Sequence, residues 1–285
     1  MLKKSPLITI IILNYNSTEL TKNCINSLNN TLNYKNYNII LVDNSNLIDF
    51  SKDYLKQNHI IYIKNPKNLG FAKGCNIGIK HAYNHFKPQY YWLLNNDTLV
   101  TKDSLTNLVN YAKNHHIAIT GSKIINPKNN QIQCLAGGYL HYLTGKSYFI
   151  KNSKNLNKLQ YICGASMLIN NNTIEKIGYL DEDFFLYYED NQYCMLAKQN
   201  NLKIGYANNS IIYHTESSTT NKIPCSRIFF TTTSFIIFCR KNKKYLTCFN
   251  GLILRFCFFI AKLKLSYIKN FFRAIYIGLT KKLSK

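Results

Sequence analysis

Residues 90–100 read YYWLLNNDTLV. Tyr91 to Leu94 are apolar without a break, the pattern of a strand covered on both faces. Such a strand belongs inside a core, yet it runs directly into Asn95, Asn96, Asp97 and Thr98. An unpaired buried carboxylate is expensive. Asp97 therefore marks either a solvated turn, which Asn, Asp and Thr commonly form, or a place where positive charge arrives.

The same pattern recurs on either side. Ile8 to Leu13 is an apolar, β-branched run that ends in Asn14, Tyr15 and Asn16. Residues 38–42 form a second such run, ending in Asp43, and residues 60–63 a third. Leu20, Cys24, Ile25 and Leu28 recur at helical spacing, with Asn16 and Glu19 placed as a cap. Further helices are predicted through Gly78 to Tyr83 and near Ser104 to Lys113, with a fifth strand over Ile117 to Thr120. Apolar strands alternating with helices build βαβ units and a parallel sheet with both faces covered. Ligands of such sheets bind beyond the carboxyl ends of the strands. Asn14 to Asn16, Asp43, and Asn95 to Asp97 all fall there. That convergence favours a bound cation at Asp97, since a hard divalent ion takes oxygen ligands and offsets a buried charge.

The 285 residues suffice for one large domain, or for one domain with an appendage, and 46% of them are hydrophobic. The net charge is +23. No acidic residue follows Glu216, whereas Lys and Arg continue to the last residue, and a basic tail seeks nucleic acid or an anionic membrane surface. The 9 cysteines include no C-x-x-C pair and no zinc-like spacing, which points to reduced thiols. The apolar run near the N-terminus is short and lacks a small-residue cleavage site, so it reads as a strand rather than a leader.

The second half holds several further signals. Residues 65–78, NPKNLGFAKGCNIG, carry three glycines before a helix but match neither a dinucleotide fingerprint nor a P-loop. They read as a flexible loop or as backbone amides close to a ligand. Glu189 and Asp190 follow the aromatic run FFLYY at the predicted start of a helix over Asn191 to Gln199. Acidic residues in a first helical turn need no function, but a carboxylate among aromatic walls has a raised pKa suited to a general base. Ile211 to Tyr213 read as a strand ending in His214. A lone histidine is more often structural than a ligand.

In order, ITIIILNYN, ILVDNSN, NPKNLGFAKGCN, WLLNNDT, CGASMLI, FFLYYEDNQYC and YHTESS resemble the inverting family 2 glycosyltransferases of the GT-A fold. The similarity is strongest to the rhamnosyltransferase-like branch of bacterial surface-polysaccharide and lipopolysaccharide synthesis, and runs from about Pro6 to about Arg240. It implies an α/β fold with a Rossmann-like, mostly parallel central sheet. Residues 1–240 would be the catalytic domain, with a nucleotide-sugar part to about residue 120 and an acceptor part beyond. It further implies that Asn14, Tyr15, Asn16 and Asp43 line the nucleotide pocket, with Asp43 facing a pyrimidine ring. Asn68, Gly70, Phe71, Asn76, Asn95 and Asn96 would border the donor sugar and diphosphate. Asp97 and His214 would hold a divalent cation, Mn2+ or Mg2+. Asp190, with Glu189, would serve catalysis, and Gly164 and Ala165 would lie near the acceptor. Two departures stand out: Asn95 occupies the first position of the family's D-x-D motif, and Gln192 stands where many relatives carry Asp.

The resemblance implies a UDP- or dTDP-linked sugar donor and a saccharide or lipid-linked saccharide acceptor. Residues 241–285 read as a basic amphipathic extension, with Arg255, Lys262, Lys269 and Arg273 on one face of a helix over 251–279. Such a helix rests on an anionic membrane or packs on the domain. The expected location is cytoplasmic, at the inner face of the cytoplasmic membrane. Two alternatives remain: a family member with impaired catalysis acting as a binding partner, and a nucleic-acid-binding protein. The second is disfavoured, because no nucleic-acid motif accompanies the charge.

Overall fold

The computed structural model describes residues 5–46, 50–215, 224–261 and 265–284. The end of the YHTESS motif, residues 216–218, and Lys262 lie outside them. The chain opens β1 (Ile8–Asn14), α1 (Thr18–Thr31), β2 (Tyr37–Asp43), α2 (Lys52–Gln57), β3 (Ile60–Lys64), α3 (Phe71–His85) and β4 (Tyr90–Asn95). β1 pairs in parallel with both β2 and β4, and β2 with β3. Ile8, Ile10 and Ile12 pack on one face of the sheet with Trp92, Cys24 and Leu28. Ile11, Ile40 and Val42 pack on the other with Ala72, Cys75 and Ile79 of α3. Alternate residues thus face opposite helical layers, which is why these strands are apolar throughout.

The glycine-rich segment belongs mostly to α3, which begins at Phe71 rather than near Gly78. A Cβ on Gly78 would lie 2.7 Å from Ile11, and one on Gly74 2.5 Å from Leu13. Those two glycines let the helix approach the sheet closely; they are not a flexible loop. α1 begins after Ser17, not at Asn16, whose φ of 49° is left-handed.

The chain continues through β5 (Thr98–Val100), α4 (Ser104–Asn114), β6 (Ile119–Ile125), β7 (Ile132–Leu135), β8 (Gly137–Leu140), β9 (Ser147–Phe149), β10 (Tyr161–Ile162), β11 (Ser166–Asn170), α5 (Asn171–Ile177), α6 (Glu189–Gln199) and β12 (Ile204–His214). Among the described residues the main sheet runs β3-β2-β1-β4-β11-β6-β12-β5, with β7 added to β6, and a small second sheet runs β10-β8-β9. β11 is antiparallel to both neighbours, whereas β12 is parallel to β6. The expected fifth strand starts two residues later, at Ile119. The run ending in His214 is the last part of a strand of 11 residues. Its earlier part hides in sequence because Asn208, Asn209 and Ser210 interrupt the apolar pattern at a register shift between Ala207 and Ile211.

The C-terminal region is three helices: α7 (Pro224–Lys241), α8 (Tyr245–Ala261) and α9 (Leu265–Thr280). The single helix expected over 251–279 is therefore two. Phe235 to Cys239 of α7 are buried beneath them. Gly278 meets Ile236 so closely that a Cβ would lie 2.9 Å away. Arg240 donates to the carbonyls of Gly278 (2.7 Å) and Lys281 (3.0 Å), satisfying the end of α9. Lys241 pairs with Asp181 and Asp183, both at 2.7 Å, which ties this bundle to the loop before α6. The expected basic face is not free: Arg255 lies over the Phe235 ring at 3.9 Å and Arg273 over Phe229 at 5.2 Å. Arg255 thus turns inward onto an aromatic face, while Arg273 lies against one and stays exposed. Tyr245, Leu246, Phe249, Leu254 and Phe258 of α8 are exposed instead.

Candidate active site

A cleft of about 590 Å³ opens beyond the carboxyl ends of β1 and β4. Tyr15, Asn68, Gly70, Phe71, Asn95, Asn96, Asp97, Gly164, Ala165, Glu189, Asp190 and His214 all line it. Of the remaining expected residues, Asn14, Asp43 and Asn76 are buried behind the wall, and Asn16 is exposed outside the cleft. Asn14 is buried and donates to Asp43 Oδ1 (2.9 Å) and Ser45 Oγ (3.0 Å). Asn16 donates its backbone N–H to Ser45 Oγ at 2.8 Å. Asn76 is a buried residue of α3, joined to the Leu180 backbone in both directions and to Glu182.

Asp43, expected to face a base, has a fully buried side chain. Its Oδ1 also accepts from Ser45 N (2.9 Å), and its Oδ2 from Tyr62 OH (2.7 Å) and Lys64 Nζ (2.8 Å). Burial alone would raise its pKa, but these donors outweigh burial and hold it below the usual carboxylate range. The atoms that would meet a base are thus occupied by protein donors. Asn44, the next residue, does reach the cleft; its Nδ2 donates to Asn68 Oδ1 (3.2 Å) and Gly70 O (3.1 Å).

Asp97 meets His214 because β12 pairs antiparallel with β5, setting His214 opposite Thr98. Nε2 of His214 lies 3.2 Å from Asp97 Oδ1. That oxygen is buried and has no aligned hydrogen bond. A carboxylate oxygen beside an imidazole nitrogen is a donor pair suited to a divalent cation, so the residues fit the ion that the resemblance implies. Among the described residues no group of three or more His, Cys, Asp or Glu side chains gathers. A cation here would complete its shell from ligand and solvent oxygens. Asn96, beside Asp97, is turned toward α1 and donates to Thr21 Oγ1 at 2.9 Å.

Across the cleft, Asp190 and Glu189 open α6. Tyr187 and Tyr188, the two residues before them, both have left-handed backbones, with φ of 69° and 67°. Two consecutive bulky residues in that region store strain, and such strain gathers at functional sites. Asp190 Oδ2 accepts from Gly164 N (3.2 Å), and Oδ1 from the backbone (2.7 Å) and side chain (2.8 Å) of Asn191. Glu189 is buried and its Oε2 has no partner. Burial, and then the charge of Asp190, push the Glu189 pKa well up. Burial raises Asp190 too, against the pull of its hydrogen bonds. Donors from Asn191 and Gly164 stabilise the charge of Asp190, whereas Glu189 has only a backbone donor and an unpartnered Oε2, so Asp190 is the ionised member and Glu189 holds a proton. An ionised carboxylate of raised pKa in a cleft is poised to take a proton.

The Asp190 side of the cleft also contains groups that local sequence did not mark. Phe149 comes from β9 of the small sheet, Lys146 from the loop before it, and Arg255 arrives from α8. Arg255 Nη2 reaches Tyr188 OH at 3.4 Å, and Tyr188 OH donates to Gly145 O at 3.1 Å. Helical spacing had placed Arg255 on a solvent or lipid face, and no local signal assigns it to a cleft.

A mostly parallel sheet with a polar cleft at its carboxyl edge, flanked by a carboxylate–histidine pair and an acidic helix start, defines a glycosyltransferase of the GT-A fold. The model of "Glycosyl transferase family 2" matches residues 9–178, and the chain belongs to that family. It is 28% identical over 207 residues to the low-salt glycan biosynthesis hexosyltransferase Agl10 of Haloferax volcanii, covering 70% of this chain and 64% of that protein. The chain therefore spans less than two thirds of that relative. Similar solved structures include residues 1–349 of S. aureus TarS, with TM-score 0.59, 14% identity, and coverage of 96% of this chain and 80% of that one. Another is the mannosyltransferase PcManGT of Pyrobaculum calidifontis in complex with GDP-Man and Mn2+, with TM-score 0.61, 11% identity, and coverage of 98% and 89%. A third is GalNAc-T7 with UDP, GalNAc and Mn2+, with TM-score 0.61, 17% identity, and coverage of 73% and 43%.

Proposed function

We propose that this glycosyltransferase moves a hexose-type sugar from a nucleoside diphosphate to a hydroxyl of a saccharide or lipid-linked saccharide, with inversion at the anomeric carbon, in the synthesis of a surface glycan. The observation that carries this reading is the placement of Asp190 and of the Asp97–His214 pair on one cleft. The likeness to a hexosyltransferase of glycan biosynthesis supports the sugar class.

Asp97 and His214 would hold a divalent cation, which supplies charge opposite the departing diphosphate. Tyr15, Asn44 and Asn68 would border the donor, and Gly164, with no side chain to obstruct it, would leave room for the acceptor beside Asp190. A Cβ on Gly164 would meet only Phe71 at 3.6 Å and the Asp190 side chain at 3.9 Å. Asp190 takes the proton of the acceptor hydroxyl while that oxygen bonds to the anomeric carbon. The bond to the diphosphate oxygen breaks, its electron pair leaving with the nucleotide. The proton then passes from Asp190 to solvent.

The membrane reading rests on α8 and α9. Among the described residues, no helix is long and apolar enough to cross a bilayer. Tyr245, Phe249, Phe258, Phe272 and Tyr276 are nonetheless exposed on helices that carry no acidic residue. Aromatic side chains among Lys and Arg suit the interface of an anionic membrane. Since α8 also sends Arg255 into the cleft, an acceptor held at that surface would lie close to the base.

The test is thermal stability with UDP, dTDP and GDP, each with and without Mn2+, because a ligand of the native state raises the melting temperature. A rise that needs both one nucleotide and the ion supports the donor site and selects the base. No rise with any nucleotide overturns the assignment.

A further inference from the structure

Gln133, on β7, reaches the far side of His214. Its Nε2 donates to the His214 carbonyl at 2.6 Å, and its Oε1 lies 3.0 Å from Nδ1 of the same residue. The carbonyl can only accept, so the amide nitrogen must face it. The amide oxygen must then face Nδ1, which must carry a proton to bond it. In the neutral ring this leaves the lone pair on Nε2, the atom 3.2 Å from Asp97 Oδ1. Two acceptors facing each other repel unless a proton or a metal cation lies between them. One side chain thus grips both the backbone and the ring of His214 and decides which nitrogen is offered to the cleft.

We propose that Gln133 is a positioning residue for the cation site: it presets His214 as the Nδ1–H tautomer, so that Nε2 is ready to ligate a divalent ion beside Asp97. This rests on the proposed cation role of Asp97 and His214. A partner behind a ligating histidine commonly sets its tautomer and basicity, and losing that partner typically costs about 10- to 100-fold in metal affinity. Gln133 does not line the cleft, so it acts only through His214.

The test needs no acceptor. Long-range proton–nitrogen NMR of 15N-histidine-labelled, metal-free protein in mildly alkaline buffer reads the His214 tautomer directly, its signals assigned by their loss in His214→Gln. Wild type should show an unprotonated Nε2 and a protonated Nδ1. Gln133→Met, close in size, should lose that preference. Mn2+ affinity in the presence of a saturating nucleotide should fall about 10- to 100-fold in Gln133→Met, while metal-free nucleotide binding stays unchanged. A wild-type His214 protonated on Nε2, or a Gln133→Met protein with unaltered tautomer and Mn2+ affinity, would overturn the proposal. Failure of wild type to bind Mn2+ with any nucleotide would instead overturn the cation reading, because the tautomer is read without metal.

Discussion

The backbone amide of Gly164 donates to Oδ2 of Asp190 across 3.2 Å. Gly164 belongs to the turn between β10 and β11, and Asp190 to the first turn of α6. The contact aims the carboxylate at the open space that Gly164 leaves, where a hydroxyl could approach it. Asp190→Asn keeps the shape and removes the proton acceptor. Transfer should fall about 100- to 10,000-fold, as for loss of a general base. The thermal shift caused by nucleotide and Mn2+ should persist. Retained transfer in this variant would exclude Asp190 as the base.

Glu189 should make stability depend on pH. Its folded-state pKa lies above the ordinary glutamate value, because burial and then Asp190 disfavour its charge. Between those two values the native state binds more protons than the unfolded chain, so stability falls as pH rises through the window. Glutamine carries no such proton. Glu189→Gln should therefore melt higher than wild type at neutral pH, and the gain should vanish below the ordinary glutamate range. Melting curves across pH decide this, and a constant difference would contradict the assignment.

Asp97→Ala removes the buried oxygen that has no aligned donor. The nucleotide-dependent rise in melting temperature should lose its requirement for Mn2+, and chelation with EDTA should reduce wild type to the behaviour of the variant. A cation-dependent shift that survives in Asp97→Ala would place the ion elsewhere.

Gly70 caps α3 with φ of 85°, and a Cβ there would lie 2.5 Å from the carbonyl oxygen of Phe185. The Phe71 amide donates to that same carbonyl at 2.7 Å. Gly70→Ala must move one side of this contact or strain the backbone, at a cost of about 1–3 kcal/mol. Chemical denaturation should report that loss, with weaker nucleotide binding beside it, since Gly70 lines the cleft.

On α8, Phe249 is 64% and Phe258 57% exposed. Replacing both with Ser should leave the melting temperature nearly unchanged, as surface substitutions usually do. Sedimentation with vesicles rich in anionic lipid should decline, and neutral vesicles should retain little of either protein. Equal binding by wild type and the double variant would remove these helices from any membrane contact.

Much of this molecule is legible from local pattern. The uninterrupted apolar runs of β1, β2 and β4 mark strands that only a doubly covered sheet can hold, and their polar ends mark the cleft edge. Asp97, Asp190 and His214 can be found in this way because each follows a strand or opens a helix. The tertiary structure decided what they meet. His214 faces Asp97 only because β12 pairs with β5 in one register, and a slip of one residue would turn its side chain to the other face. Gln133, Asn44 and Arg255 carry no local signal, since their partners are brought to them by strand pairing and helix packing. The division between Asn14 and Asp43 behind the wall and Tyr15 and Asn44 on it has the same origin: in a pleated chain adjacent side chains point apart, and packing alone selects which of them faces the cleft.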